Sequence, residues 1–360
     1  MANLWDKLIG HAAQREMLRN AIAKGRLAHT FLFIGPSGIG KRMFAKAVAQ
    51  SLLCERHTDT DLDACGECSG CKQVAAASHP DFFQVGLPKD KRELPIALFA
   101  GDEERRGKEG LCHDLSLKPM AGRRKIAIID DADCFNLESA NCLLKTLEEP
   151  PPKSLLFLIG TTADAQLPTI RSRCQVLQFA PLTNGQVIEI LLREELVEDP
   201  LHAEAVASLC DGSVQTATEL LDPEIRSLRE AIYSTLAADD RKRFDQALQI
   251  VEQVEAGSDT AAQRRAAAWA TRFVVEFYRE SLLILNADDP PAATKESPIA
   301  RFLARFTNRS LDDTDLVGDL LERAFLADLH LESNMSAKLC VEGLLNDLAL
   351  IERRRMEAVR

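Results

Sequence analysis

The stretch Gly35-Pro36-Ser37-Gly38-Ile39-Gly40-Lys41-Arg42 is a phosphate-binding loop, complete except at its last position, where Arg42 replaces the usual Ser or Thr. In such a loop glycines let backbone N–H groups turn inward around phosphates, the lysine reaches the outer phosphates, and the hydroxyl ligates Mg²⁺. Arg42 supplies no hydroxyl. The strand-like run Thr30-Phe31-Leu32-Phe33-Ile34 before the loop and the helical Met43-Phe44-Ala45-Lys46-Ala47-Val48-Ala49-Gln50 after it are the context the motif requires. The alternative, a glycine-rich turn without a ligand, leaves Lys41 and that context unexplained. The expected fold is therefore a P-loop α/β domain. Binding and hydrolysis of ATP with Mg²⁺ are separate questions in it, because an arginine at position 42 can occupy the space of the magnesium ion.

Bulk properties narrow the class further. A chain of 360 residues is long enough for two or three domains with their own cores. Its formal charge of −11 argues against coating nucleic acid by bulk electrostatics and leaves room only for a local or shared DNA contact. Met1-Ala2-Asn3-Leu4-Trp5 lacks the charged and apolar regions of a signal peptide, and no uninterrupted apolar run is long enough to span a bilayer, so a cytoplasmic protein without a membrane partner is expected. In a reducing compartment the ten cysteines read as metal ligands and small buried hydrophobes rather than disulfides.

Four of them, Cys54, Cys65, Cys68 and Cys71, fall at C-x10-C-x2-C-x2-C, with Gly66 and Gly70 between them. The x2 spacings let thiolates converge on one ion, and four sulfurs with no open position describe a structural tetrahedral Zn²⁺ site. His57 and His79 offer no better spacing, and the alternative is an unmetallated surface loop. The segment directly follows the P-loop helix, so residues 54–71 are expected to form a small zinc module inserted into the nucleotide-binding domain. Cys112, Cys134, Cys142, Cys174, Cys210 and Cys340 are scattered and read as packing residues.

A second strand followed by acids appears at Lys125-Ile126-Ala127-Ile128-Ile129-Asp130-Asp131-Ala132-Asp133. Four consecutive aliphatics suit a strand buried on both faces of a parallel sheet, and the acids then emerge at its C-terminal end, where open α/β sheets bind ligands. This is a Walker B candidate. Asp130 would hold the metal through its water shell, and Asp131 would stand where a water-polarising acid is needed. Aspartate is one methylene shorter than the usual glutamate, so its reach toward water is compromised. Downstream, Ala140, Leu143, Leu144 and Leu147 recur at helical spacing after a capping Asn136, and Pro150-Pro151-Pro152 ends that helix. Two further strands are expected at Leu155–Gly160 and Gln175–Phe179.

Here the sequence resembles a known family. Asn141-Cys142-Leu143-Leu144-Lys145-Thr146-Leu147-Glu148-Glu149-Pro150-Pro151, followed by Thr169-Ile170-Arg171-Ser172-Arg173-Cys174, is similar to the signature of bacterial sliding-clamp loader subunits, most closely their delta prime branch. The likeness takes in Asp6-Lys7-Leu8-Ile9-Gly10-His11, the P-loop with its Arg42, the four cysteines and Asp130-Asp131-Ala132-Asp133, and runs from residue 1 to about 220. It implies an AAA+ module over 1–180, a helical lid over 181–222 and an all-α collar domain over 223–360. It also implies a hetero-pentamer with tau/gamma and delta subunits of the DNA polymerase III holoenzyme, a nucleotidyltransferase, reaching the sliding clamp and primer-template DNA through the complex.

What the resemblance implies for individual residues has a physical basis. In this family the Ser-Arg-Cys arginine projects to the phosphates of a neighbouring subunit's ATP, so Arg173 is expected to act in trans, with Arg171 the weaker candidate. A guanidinium suits the task because it stays charged and donates a forked pair of hydrogen bonds. The alternative is an arginine paired to an acid at the start of a strand. In the lid, around Asp211-Gly212-Ser213-Val214-Gln215-Thr216-Ala217, the family's ATPase subunits carry an arginine that reaches their own nucleotide, and the matching position is Gln215. Arg42, Asp131 and Gln215 all depart toward weak or absent hydrolysis.

Beyond Asp222-Pro223 the chain reads as helices, with good helix formers through 224–286, a break at Asp288-Asp289-Pro290-Pro291, and a stripe of Leu339, Leu344, Leu345, Leu348 and Ile351 ending in Arg353-Arg354-Arg355. Gly101 to Gly110 reads as a solvated charged loop. Two functions remain: a largely non-catalytic subunit of delta prime type that helps ATP-dependent clamp loading and supplies Arg173, or an ATPase motor of tau/gamma type that tolerates Arg42. Gln215, Asp131 and the end of the chain without a long polar extension favour the first.

Overall fold

The computed structural model describes residues 3–88, 91–238, 240–287, 297–306, 311–333 and 335–358. The expected break at Asp288–Pro291 and the side chain of Arg355 lie outside the described residues. The chain divides between Thr218 and Glu219 into two compact units.

The first unit is built on five parallel strands, β1 (Thr30–Ile34), β2 (Phe82–Val85), β3 (Lys125–Ile129), β4 (Ser154–Gly160) and β5 (Gln175–Gln178), in the order β2-β3-β4-β1-β5. Every residue of β1, β3 and β4 is buried, because helices cover both faces of the sheet and the strands carry near-continuous apolar runs. Strand alternation sorts the side chains into two cores. Phe31, Phe33 and Phe157 pack with Phe44 of the helix Lys41–Leu52 and with Phe179 on one face, while Leu32, Ile34, Leu156 and Leu158 pack with Ile129, Leu143 and Ile170 on the other. Phe33 sits 5.7 Å from Phe44 and 5.0 Å from Phe179, ring centre to ring centre. These contacts fix the P-loop helix against β1 and β5.

The strand order matters for the site. β4 pairs with both β1 and β3, in register from Thr30 opposite Leu156 and from Lys125 opposite Ser154. The P-loop after β1 and the acids after β3 therefore emerge at the same edge of the sheet, with Gly160-Thr161 between them. After β3, the helix Leu137–Glu148 begins with Asn136 accepting the Ser139 N–H at 2.9 Å, and the prolines that follow end it.

The cysteine segment is inserted between the helix Lys41–Leu52 and β2 as a short 3-10 turn, Asp59–Asp61, and a helix, Ser69–Ala75. Gln50 donates to the Cys71 carbonyl at 3.1 Å, Asn3 donates to Asp63 at 2.9 Å, and Arg124 pairs with Asp59. Buried Asp81, just before β2, accepts the N–H groups of Met120, Ala121 and Gly122. Burial opposes its ionisation, yet these donors hold its carboxyl below the ordinary value. After β5 come the helices Asn184–Arg193, Pro200–Leu209 and Val214–Leu220, the first opened by a capping box in which Thr183 and Gln186 satisfy each other's backbone N–H. Of the expected solvated loop Gly101 to Gly110, Asp102 to Glu109 is exposed, with a 3-10 turn at Glu103–Arg105, but Gly101 is buried and packs closely against Gly110.

The second unit is helical throughout its described residues, with helices Pro223–Leu236, Asp240–Glu255, Thr260–Leu285, Pro298–Leu303, Leu311–Glu332 and Ala337–Ala358. A buried ionic knot joins several of them. Arg243 makes a forked pair with Glu352 at 2.6 and 2.9 Å, Tyr278 donates to Glu352 at 3.2 Å, and Arg305 adds a third donor. Burial, with the Glu352 charge beside it, pushes the Tyr278 hydroxyl well above its usual range, so it stays a neutral donor. The C-terminal stripe differs at one position from its expected course. Leu344, Leu345 and Leu348 are buried, but Leu339 is 60% exposed and Val341 takes the buried place, because 341, 344, 345 and 348 share one helical face and 339 falls off it. No helix among the described residues is long and apolar enough to cross a membrane.

Candidate functional site

The P-loop opens on a cleft of about 620 Å³ in the first unit. Gly40, in a left-handed conformation at φ 98°, turns the chain into the helix Lys41–Leu52, whose first turn has no side-chain cap. Its leading N–H groups are thus left to a ligand or to water, and the helix dipole favours an anion there. Gly38, at φ 74°, lies hard against the start of the helix Val214–Leu220: a Cβ on it would stand 2.3 Å from Ser213 Oγ and 2.5 Å from Gln215 Cβ. The Val214 N–H donates to the Gly38 carbonyl at 3.0 Å. Gln215 therefore reaches the position over the loop, and it brings no charge there.

Lys41 is 6% exposed and folds back on its own loop, donating to the carbonyls of Gly35 at 2.6 Å and Pro36 at 2.5 Å. Burial lowers its pKa, and the nearby Asp133 and Asp130 charges oppose that shift. Arg42 leaves the helix toward β3, where its Nη1 lies 3.0 Å from Asp130 Oδ2. Asp131, left-handed at φ 54°, turns its carboxylate to the Leu87 N–H at 3.1 Å. Asp133 accepts the Thr161 N–H at 2.8 Å and pairs with Gln166. All three acids thus have protein partners.

These residues suit a nucleotide and do not suit magnesium. Lys41, Arg42 and the uncapped N–H groups form a donor set for a polyphosphate, and Leu8, Ile9, Leu182, Ile190 and Leu196 give the same cleft an apolar end. Magnesium demands closely placed oxygens in an octahedral shell, whereas position 42 has no oxygen and the Asp130 carboxylate is engaged by a guanidinium.

Sequence reasoning did not assign roles to His11 or Arg193. His11, left-handed at φ 60°, meets the Ile39 carbonyl at 2.7 Å. Burial lowers its pKa, which keeps the ring neutral. Arg193, the last residue of the helix Asn184–Arg193, donates to the carbonyls of Asp6 at 3.2 Å and Lys7 at 2.5 Å. Both contacts tie the Asp6–His11 segment into the cleft wall. The unusual backbone of His11 has no sequence signal beyond the preceding Gly10.

The four cysteines converge. Their sulfurs all lie within 4.8 Å of one another, with Cys54 to Cys68 at 4.0 Å and Cys65 to Cys71 at 3.8 Å. Thiolates about 2.3 Å from a zinc ion at tetrahedral corners stand about 3.8 Å apart, so the donor set fits. The Cys68 N–H points at Cys65 Sγ (3.3 Å) and the Cys71 N–H at Cys68 Sγ (3.4 Å). Against the cost of burial, the N–H groups of Glu67 and Cys68 and the neighbouring thiols pull Cys65 down to about 6, while burial pushes Cys71 up. The scattered cysteines behave as packing groups: burial raises Cys174 to about 12 and Cys112 to about 11.

Arg173 lies elsewhere on the unit, just before β5. Its side chain is one third exposed and bonds to Glu148 at 2.5 Å, to the Thr169 carbonyl at 2.9 Å and to Ser172 Oγ at 3.2 Å. Glu148, the last residue of its helix, was not singled out from sequence. Arg171 is exposed and pairs with Asp164 at 3.4 Å.

A five-stranded parallel sheet with β4 between the P-loop strand and the acidic strand, followed by helices, defines an AAA+ P-loop protein. Within that class, residues 10–183 match the family described as DNA polymerase III, delta subunit. The chain is 35% identical over 230 residues to DNA polymerase III subunit delta′ of Pseudomonas aeruginosa, covering 64% of this chain and 62% of that one. It is 32% identical to the delta′ subunit of Bacillus subtilis over 208 residues, 57% of each chain, and 31% identical to the tau subunit of the same organism over 226 residues, 61% of this chain and 38% of that one. Over this module the chain is similar to clamp-loader proteins of the delta prime/tau kind. The chain spans less than two thirds of the length of these relatives.

Proposed function

We propose that the chain is a delta prime-like subunit of a DNA polymerase III clamp loader, cytoplasmic and working with tau/gamma and delta subunits to load the sliding clamp onto primed DNA. In this reading it hydrolyses little or no ATP itself and offers Arg173 to the ATP of a neighbouring subunit. The observation that carries it is the ion pair between Arg42 and Asp130, which fills the place where a motor subunit holds its metal. Asp131, bonded to the Leu87 N–H, and neutral Gln215 over the loop support the same conclusion. Arg173 is exposed at the surface of its unit, and its bond to Glu148 would be exchanged for a phosphate at a subunit boundary. The module of Cys54, Cys65, Cys68 and Cys71 would hold a structural zinc ion.

A motor of tau/gamma type is the second reading, favoured by the intact Lys41 and the open cleft. ATP turnover by the purified chain, alone and then reconstituted with its partner subunits, separates the two. The delta prime reading expects negligible turnover by the chain alone and DNA-stimulated turnover only in the assembly. Robust turnover by the isolated chain would establish the motor.

A further inference from the structure

The arginine at the end of the P-loop does more than remove a metal ligand. Arg42 is the second residue of its helix, its side chain is 70% exposed, and Nη1 reaches Asp130 Oδ2 at 3.0 Å from across the mouth of the cleft. Asp130 also accepts the Asp131 N–H at 3.3 Å through Oδ1. A divalent ion between loop and strand would need the Asp130 carboxylate released and would sit beside a fixed positive charge. A guanidinium already in that position is itself a donor of up to five N–H groups, suited to two phosphate oxygens at once. Its exposed stem can swing from Asp130 to an arriving anion, while on the other side of the loop stand the uncapped N–H groups and Lys41, which would exchange its bonds to the Gly35 and Pro36 carbonyls for the anion.

We infer that the cleft takes a nucleoside triphosphate as the metal-free anion, with the Arg42 guanidinium standing where Mg²⁺ stands in an ordinary P-loop. This rests on the reading of the cleft as a nucleotide site. It adds a sign that an ordinary P-loop does not have: Mg²⁺ in solution competes with the site for the nucleotide instead of completing it.

Titration calorimetry of the full chain with ATPγS, in Mg²⁺ and in EDTA, tests this. The expected result is binding at least about threefold tighter in EDTA than in Mg²⁺, because excess Mg²⁺ withdraws the free anion from the site. Arg42→Ser restores the hydroxyl and should reverse the preference, with binding at least about fivefold tighter in Mg²⁺ than in EDTA. Since Arg42 is largely solvent-exposed, the variant is expected to fold, which circular dichroism checks. Wild-type binding less than about threefold tighter in EDTA, or tighter in Mg²⁺, would overturn the inference while leaving the nucleotide site in place. Absence of binding in both media, with Lys41→Ala indistinguishable from wild type, would overturn the nucleotide site itself.

Discussion

The four-cysteine cluster and the P-loop cleft lie at opposite ends of one helix, Lys41–Leu52, and differ in how much of their chemistry the chain completes. The cluster brings every ligand of a structural zinc site to within 4.8 Å, all from a segment of 18 residues. The cleft has the glycines, lysine and acidic strand of a nucleotide-site scaffold, with Arg42 paired to Asp130, Asp131 bonded to the Leu87 N–H and Gln215 packed beside Gly38. On the reading proposed above, such a site retains its shape after its chemistry has been replaced. The shape is held by the sheet and by Ser213 and Gln215 packed on Gly38.

The largest effect is expected at the complete site. Replacing both Cys68 and Cys71 with Ser should abolish metal binding and withdraw on the order of 10 kcal/mol of folding free energy from the module. Hydrogen exchange should then become fast over residues 54–75 while β1, β3 and β4 stay protected, because one core of the sheet has no residue from that segment and the other takes only Leu62 and Val74 from it. Wild-type protein should carry one zinc per chain by metal analysis. A metal-free wild type with an ordered module would break the comparison, since the cluster would then be as vacant chemically as the cleft.

Next in size is Arg173. Its substitution by Ala should slow hydrolysis at the one affected site by roughly 10³ to 10⁵, seen as a partial loss of total turnover by the complex and a larger loss of clamp loading. Arg173→Lys should rescue poorly, because an ammonium keeps the charge without the planar fork. Wild-type rates for Arg173→Ala would assign the residue to its pair with Glu148 alone.

Much of this was legible in the sequence because the signals are local. The P-loop, the aliphatic run of β3, the capped helix after Asn136 and the tight cysteine spacings each depend on residues close in the chain. β2 was not legible. It is a four-residue strand, Phe82-Phe83-Gln84-Val85, in which Gln84 is exposed, so no continuous apolar run announces it. The partners of the site residues were hidden for a different reason. Glu148 reaches Arg173 across 25 positions and Arg42 reaches Asp130 across 88, and only the strand order brings them together. Sequence named Arg42 as a missing hydroxyl; the fold was needed to supply the carboxylate it engages.

Gly38→Ala probes the scaffold of the cleft with a smaller expected effect. The residue sits at φ 74°, and an added Cβ would meet Ser213 Oγ and Gln215 Cβ well inside van der Waals contact. Backbone strain and displacement of the lid should together cost about 1–3 kcal/mol, lowering the melting temperature by several degrees. If the lid packing alone preserves the shape, the loss should appear in stability whether or not nucleotide is present. A variant as stable as wild type would show that the loop and lid separate freely.

The smallest effect is the most discriminating. Lys41→Ala removes the residue on which every working P-loop depends, and in a motor subunit it should abolish that subunit's turnover. Here Lys41 is committed to the Gly35 and Pro36 carbonyls, and the neighbouring metal position is filled by Arg42. On the proposed reading the hydrolysed nucleotide lies in other subunits, so the assembled complex should hydrolyse ATP at a rate within about twofold of wild type. The Pro36 carbonyl is exposed and the Gly35 carbonyl buried, so loss of the lysine bonds should cost about 1–2 kcal/mol of stability, and assembly should survive. Native mass spectrometry of the complex, run beside the rate assay, checks that it does. A large loss of rate with the complex intact would place working chemistry in this cleft, and the contrast with the cysteine cluster would disappear.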